Sequence, residues 1–156
     1  MKRKTMSILG LILLILDLLL KKYASIHWQN MPGIEVIPNF FYLTYVENPG
    51  AAWGMLSGQR TLFIVLTCFA LYWMFKYLEE ADNTWKQVAL VLMIAGALGN
   101  FYDRLFLAYV RDMLSFYIFS YSFPVFNLAD SYLTIGVVMI IIEMIYEEVY
   151  HGKNKY

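Results

Sequence analysis

The chain of 156 residues has one cysteine, Cys68, so an intrachain disulfide is excluded. Cys68 falls mid-run between Thr67 and Phe69, where a small buried apolar role is expected. Its two histidines, His27 and His151, are far apart and lack the clustered partners that zinc spacing requires. Both read as solvated or interfacial, and no metal or other cofactor is expected. Charge of either sign is also scarce: 15% of residues are charged, and 12 basic side chains balance 12 acidic ones. A nucleic-acid partner would want a basic face, so none is expected. There is no internal repeat and no low-complexity tract.

What the chain has in surplus is apolar surface, with 60% of residues hydrophobic and 18% aromatic. Its length suits one domain, and four apolar runs account for the excess. Spans are expected over about 6–24, 61–78, 88–108 and 126–149, each near the ~20 residues that cross a bilayer as helix. The fold class is therefore an all-α membrane protein with four transmembrane helices. The first run resembles a secretory signal peptide, because Lys2, Arg3 and Lys4 precede it. Asp17 interrupts it, however, and Lys21 and Lys22 crowd the place of a cleavage site, so a retained helix is expected. The positive-inside rule puts both termini in the cytoplasm, with Lys2, Arg3, Lys4, Lys76, Lys86, Lys153 and Lys155 inside. Lys21, Lys22, Arg60, Arg104 and Arg111 then fall outside.

Between the first two runs lies an outer segment too long for a simple loop. Ile34, Val36 and Ile37 precede Pro38, Phe40 to Val46 is aromatic and β-branched, and Asn48-Pro49-Gly50 is turn chemistry. A small β-cradle over about 28–60 is expected on the outer surface, with Trp28, Phe41, Tyr42, Tyr45 and Trp53 as a headgroup-level aromatic belt. The third loop, Tyr109 to Val125, holds five aromatics in its run Met113 to Phe123 and reads as a segment lying in the interface.

Four of the five aspartates, Asp17, Asp103, Asp112 and Asp130, lie in or beside the apolar runs. An ionisable group at membrane depth costs roughly 3 kcal/mol on insertion scales, so such residues usually face a wet interior and mark function. Asp17 and Lys21 are four apart, the spacing of a helical ion pair. In the third run Ala95, Gly96, Ala97 and Gly99 permit close helix packing. Asn100, Asp103 and Arg104 follow on one face, where they are expected to bond one another, Asp103 and Arg104 as a charged pair. Glu143 has no obvious partner and is expected to reach water.

Asp112 and Asp130 fall on the same side of the membrane at similar depth. Two carboxylates in one site resist joint ionisation, so one keeps its proton as acid while the other serves as base. Such a pair activates water against an amide without a covalent intermediate. A serine-lysine arrangement of Ser115 or Ser131 with Lys21 or Lys22 is the weaker alternative. A proton-coupled transporter would want acids nearer mid-bilayer.

Four motifs then bring a family into view: Asn48-Pro49-Gly50-Ala51-Ala52-Trp53-Gly54, Gly96 to Arg104 (GALGNFYDR), Val110-Arg111-Asp112, and Phe126-Asn127-Leu128-Ala129-Asp130-Ser131. In this order they resemble lipoprotein signal peptidase, signal peptidase II. The resemblance implies an aspartic endopeptidase of the bacterial cytoplasmic membrane with an active site near the outer face. Its substrate would be a diacylglyceryl-modified prolipoprotein, cleaved N-terminal to the lipidated cysteine, and the enzyme a monomer among membrane lipids. It makes Asp112 and Asp130 the catalytic pair, with Asn48, Gly50, Asn100, Asp103, Arg104, Asn127 and Ala129 shaping the site beside Asp17 and Lys21. Near a helix start, Asn127 can cap the helix or bond the dyad.

Departures from the family pattern are Leu18, Leu19 and Leu20 between Asp17 and Lys21, and Arg111 and Met113 about Asp112. On an extended segment Arg111 would point away from Asp112. These departures leave a divergent, non-catalytic binder of lipidated signal segments as the alternative reading.

Overall fold

The computed structural model describes residues 3–51, 55–119 and 121–151. Its elements run α1 (Arg3–His27), β1 (Ile34–Ile37), β2 (Phe41–Asn48), α2 (Arg60–Glu80), α3 (Thr84–Leu107), β3 (Val110–Ile118), β4 (Tyr121–Ser122) and α4 (Leu128–His151). The four expected helices are present, α1, α2 and α3 each a few residues longer than the expected run and α4 of equal length but two residues further on. Among the described residues, α2, α3 and α4 are long and apolar enough to cross a membrane. α1 is as long, but Asp17 and the basic residues at its two ends set it apart.

Burial identifies the central helix. Half of the apolar stretch of α3 is buried, against 6% for α2 and 11% for α4. α1, α2 and α4 all pack on α3, while Val65, Leu66 and Phe69 of α2 and Ile141, Ile142 and Met144 of α4 stand exposed. Water would penalise such faces, whereas hydrocarbon leaves them unopposed and requires only that backbone groups bond within the helix. The α3–α4 contact is close because α3 has glycine where it meets α4. A Cβ on Gly96 would collide with the Ala129 carbonyl oxygen, and one on Gly99 with the Asp17 carboxylate.

The strands form one antiparallel sheet in the order β1-β2-β3-β4 at the end of the bundle where α3 finishes and α4 begins. Here the third loop departs from expectation. It is not merely an interfacial segment: β3 pairs along β2, with Phe41 opposite Phe116, Val46 opposite Asp112 and Asn48 opposite Val110. Its first four residues, Val110 to Met113, are buried against the helices. Alternation within the third loop is weak because both faces of this stretch are covered, so its strand character was hidden in sequence.

Two further expectations are corrected, those for Cys68 and Glu143. Cys68 is exposed, since α2 touches the bundle only along a narrow line. Glu143 has partners: Asn83 Nδ2 donates to it at 2.6 Å, and Lys86 lies 3.8 Å away. The aromatics of the cradle pair across strands, Phe41 stacking on Phe116 and Tyr42 meeting Tyr117 edge-on. Trp53 lies outside the described residues.

Candidate active site

α4 begins with a reciprocal cap. The Asn127 side chain accepts from the Asp130 amide at 2.9 Å, and the Asp130 carboxylate accepts from the Asn127 amide at 3.2 Å. This is the capping-box geometry, in which first-turn donors left without helical partners are satisfied by side chains. It leaves the side-chain nitrogen of Asn127 for another task. Nδ2 of Asn127 donates to Asp112 Oδ1 at 2.6 Å, across from α4 to β3. One asparagine thus holds both aspartates.

Asp112 is placed by its strand. Beside it on β2, Asn48 donates from Nδ2 to Asp112 Oδ2 at 3.0 Å, while its own oxygen accepts from the Gly50 amide at 3.0 Å. Burial first and the Asp130 charge second push the Asp112 carboxyl up to about 7, against the lowering effect of the Asn48 and Asn127 bonds and of the Lys21 charge. A carboxyl so placed retains a proton near neutral pH beside a second carboxylate, the condition that acid-base work requires.

Behind the pair lies a buried polar layer. Asn100 on α3 donates to Asp130 Oδ1 at 2.7 Å and accepts from Lys21 Nζ at 2.9 Å and from Asn127 Nδ2 at 3.2 Å. Lys21 meets Asp17 at 2.8 Å, as the four-residue spacing indicated. Asp17 in turn accepts from the Ala129 amide at 2.9 Å, another first-turn donor of α4. Asp17, Lys21, Asp103, Asp112 and Asn127 are among the largest fully buried side chains. Such groups are tolerated because nearly every polar atom has a partner.

The expected mutual bonding of Asn100, Asp103 and Arg104 is not found. Asn100 turns to α1 and α4, and Asp103 pairs instead with Arg111 of β3 at 2.6 Å, with Lys21 3.7 Å away. Neighbouring residues on a helix point about 100° apart, so Asp103 faces β3 and α1 while Arg104 faces the turn after β2 and the start of α2. The Arg104 guanidinium donates to the Gly50 carbonyl at 3.2 Å and lies over the Phe63 ring at 4.7 Å. Arg111 does point away from Asp112, as strand alternation requires, and its backbone amide also donates to Asp103 at 3.0 Å. Its role as the tie between α3 and β3 was missed, because no local pattern names a partner on another element. Arg60, which donates to the Arg104 and Leu105 carbonyls at the end of α3, was missed too and has no local sequence signal.

Asp112 and Asp130 both line a cavity of about 640 Å³ open to the surface, together with Asn48, Gly50, Arg104 and Ser131. Phe123, Val125, Phe126 and Leu133 give it a largely apolar wall. Ser131 is no nucleophile paired to a base: its hydroxyl donates to the Asn127 carbonyl, and Lys21 is committed to Asp17 and Asn100. Among the described residues no three His, Cys, Asp or Glu side chains converge as metal ligands do. Every candidate site residue except Asp17, Lys21, Asp103 and Ala129, which stand behind it, contacts the cavity or an aspartate on its wall.

A bundle with lipid-suited faces, carrying two hydrogen-bonded aspartates in a part-apolar cavity at its end, defines a membrane protein of hydrolytic type. Comparison with known proteins makes this specific. The family model for signal peptidase II matches residues 9–146. The lipoprotein signal peptidase of Streptococcus pneumoniae is 42% identical, over 95% of this chain and 97% of its own. That of Staphylococcus haemolyticus is 44% identical, over 88% of this chain and 89% of its own. A bacterial membrane enzyme solved in meso at 2.3 Å superposes with a TM-score of 0.85 and 39% identity, covering 99% of this chain and 94% of the other. A second, at 1.9 Å, gives 0.81 and 41%, covering 91% and 93%. The chain belongs to the signal peptidase II family.

Proposed function

We propose that Asp112 and Asp130 are the acid and base of an aspartic endopeptidase that removes the signal peptide from diacylglyceryl-modified prolipoproteins. The observation that carries this reading is the double hold of Asn127 on both carboxylates at the cavity wall. The ionised carboxylate takes a proton from water as the oxygen attacks the scissile carbonyl, and the protonated one gives its proton to the carbonyl oxygen. Collapse of the tetrahedral species returns that proton and expels the amine, protonated by the carboxyl that first acted as base. The new amino terminus is that of the lipidated cysteine.

The apolar wall of Phe123, Val125, Phe126 and Leu133 suits acyl chains and the apolar side chains preceding the cleavage site. Arg104 and the Gly50 carbonyl it holds are placed to meet the extended substrate backbone. All four helices cross the bacterial cytoplasmic membrane as a monomer, with both termini inside and the sheet at the outer face. For α1 this requires Asp17 and Lys21 to enter as a pair, and their 2.8 Å contact with no exposed charge supports it.

Purified protein mixed with a synthetic diacylated precursor should yield the shortened product, which also separates a peptidase from a non-catalytic binder. Asp112→Asn and Asp130→Asn should each abolish cleavage while the protein stays folded. Retained turnover in either variant would sink the dyad assignment.

A further inference from the structure

A second cavity, of about 780 Å³, lies at the opposite end of the bundle, between α2 and α4 over the first turns of α3. Trp73, Met74, Leu90, Met93, Ile140 and Met144 make it apolar, yet Glu80, Asp82 and Glu143 also line it, with Lys86 the one cation. That lysine is already engaged, at 2.6 Å from Glu147, 3.3 Å from Asp82 and 3.8 Å from Glu143. Glu80 is exposed and has no ion-pair partner among the described residues. An apolar groove rimmed by surplus carboxylates is a poor site for an anionic lipid headgroup and a good one for an apolar peptide ending in cations.

Both cavities are bounded by α3 and α4, one at each end of these helices. Along α3, Lys86, Leu90, Met93, Ala97, Phe101 and Arg104 recur at intervals of three and four on one helical face, so Lys86 in the acidic groove and Arg104 in the dyad cavity lie on the same side of the helix. On α4, Glu143 follows Asp130 by thirteen residues, roughly 20 Å along the axis. A signal peptide has a cationic start and an apolar core of about 7–15 residues before its cleavage site, roughly 10–22 Å as helix.

Resting on the peptidase reading above, we infer that this groove receives the cationic N-terminal region of the substrate's signal peptide, with Glu80, Glu143 and Glu147 as its counter-charges. Binding at both ends fixes which peptide bond reaches Asp112 and Asp130, as a ruler set by helix length. Anchoring at the remote end contributes to binding before chemistry, so it acts on KM and leaves kcat near its value for the cationic precursor.

The test uses the full-length protein in detergent micelles and two synthetic diacylated precursors that differ only in carrying two lysines or two glutamates before the apolar core. For the unaltered protein the glutamate precursor should show KM raised roughly five- to tenfold, and the difference should shrink as salt is added. Glu80→Lys combined with Glu147→Lys should reverse the preference, and restored turnover of the glutamate precursor shows that the variant folds. Should the double lysine variant not fold, Glu80→Gln with Glu147→Gln should abolish most of the discrimination. Equal KM for the two precursors overturns the inference, as does a preference unchanged by either double variant. If neither precursor is cut by the unaltered protein, the peptidase reading itself fails, a result distinct from uniform cutting of both.

Discussion

Lys21 donates to the Asn100 side-chain oxygen at 2.9 Å, and that single bond settles which way the asparagine amide faces. With its oxygen committed to Lys21, the Asn100 nitrogen is presented to Asp130 at 2.7 Å. Lys21 lies a full layer behind the cavity, held by Asp17, and its hydrogen-bonded link to the dyad runs through this amide. On the peptidase reading proposed above, its part is that of a positioning residue. Lys21→Met should lower kcat roughly tenfold to a hundredfold with little change in KM, by analogy with the loss of supporting bonds behind a reactive group. It should also destabilise by about 3–5 kcal/mol, because Asp17 is left buried and unpaired. Measuring kcat, KM and unfolding for Lys21→Met beside Lys21→Met/Asp17→Asn separates the two effects: the double variant recovers stability but not kcat.

Arg111 and Asp103 form the clasp between β3 and α3, with the guanidinium almost fully buried and the carboxylate wholly so. Asp103→Asn should cost about 3–5 kcal/mol by stranding Arg111, and Asp103→Leu with Arg111→Met should cost markedly less than the two single changes added together. A thermal unfolding cycle in micelles checks this. Additive losses would show that the pair does not couple.

The pH dependence has a definite sign. Asp112 titrates near 7 in the folded protein, from an ordinary 3.8, chiefly because of burial and then of Asp130. The folded state therefore binds this proton more tightly than the unfolded one. The stability it contributes is full at pH below about 4 and is lost as pH rises through about 7. Turnover should fall above about 7 as the pair loses its remaining proton. Unfolding of Asp112→Asn should lack this component of the pH profile, which a temperature scan at several pH values reads directly.

Gly99 faces the Asp17 carboxylate and Ala129 with no room for a Cβ. Gly99→Ala should push α1 from α3, at a cost of about 1–3 kcal/mol or more, and should reduce turnover by disturbing the Lys21–Asn100 contact. An Ala variant at Gly58, where nothing lies within 4 Å but φ is +82°, should cost only the backbone term and leave turnover unchanged.

Cys68 is exposed on α2 and is the one thiol in the chain. In membranes it should react with a lipid-soluble maleimide and resist an impermeant one. Equal labelling by both reagents would place this face of α2 in water.

The sequence by itself determined the elements that hydrocarbon requires: apolar runs of spanning length became α2, α3 and α4, and the Asp17–Lys21 pair followed from helical spacing alone. It also determined the motifs around Asp112 and Asp130, and the cap at Asn127, since these are local patterns. Tertiary structure alone decided what those groups touch. Asp103 passes over its neighbour Arg104 for Arg111 and Lys21, the third loop becomes a strand because β2 lies alongside, and Cys68 faces outward because α2 packs on α3 along one edge. Helical and strand periods are set by bonds between residues close in the chain. Partners across elements are chosen by which buried polar atoms must be satisfied together, and that demand exists only once the helices and the sheet have met.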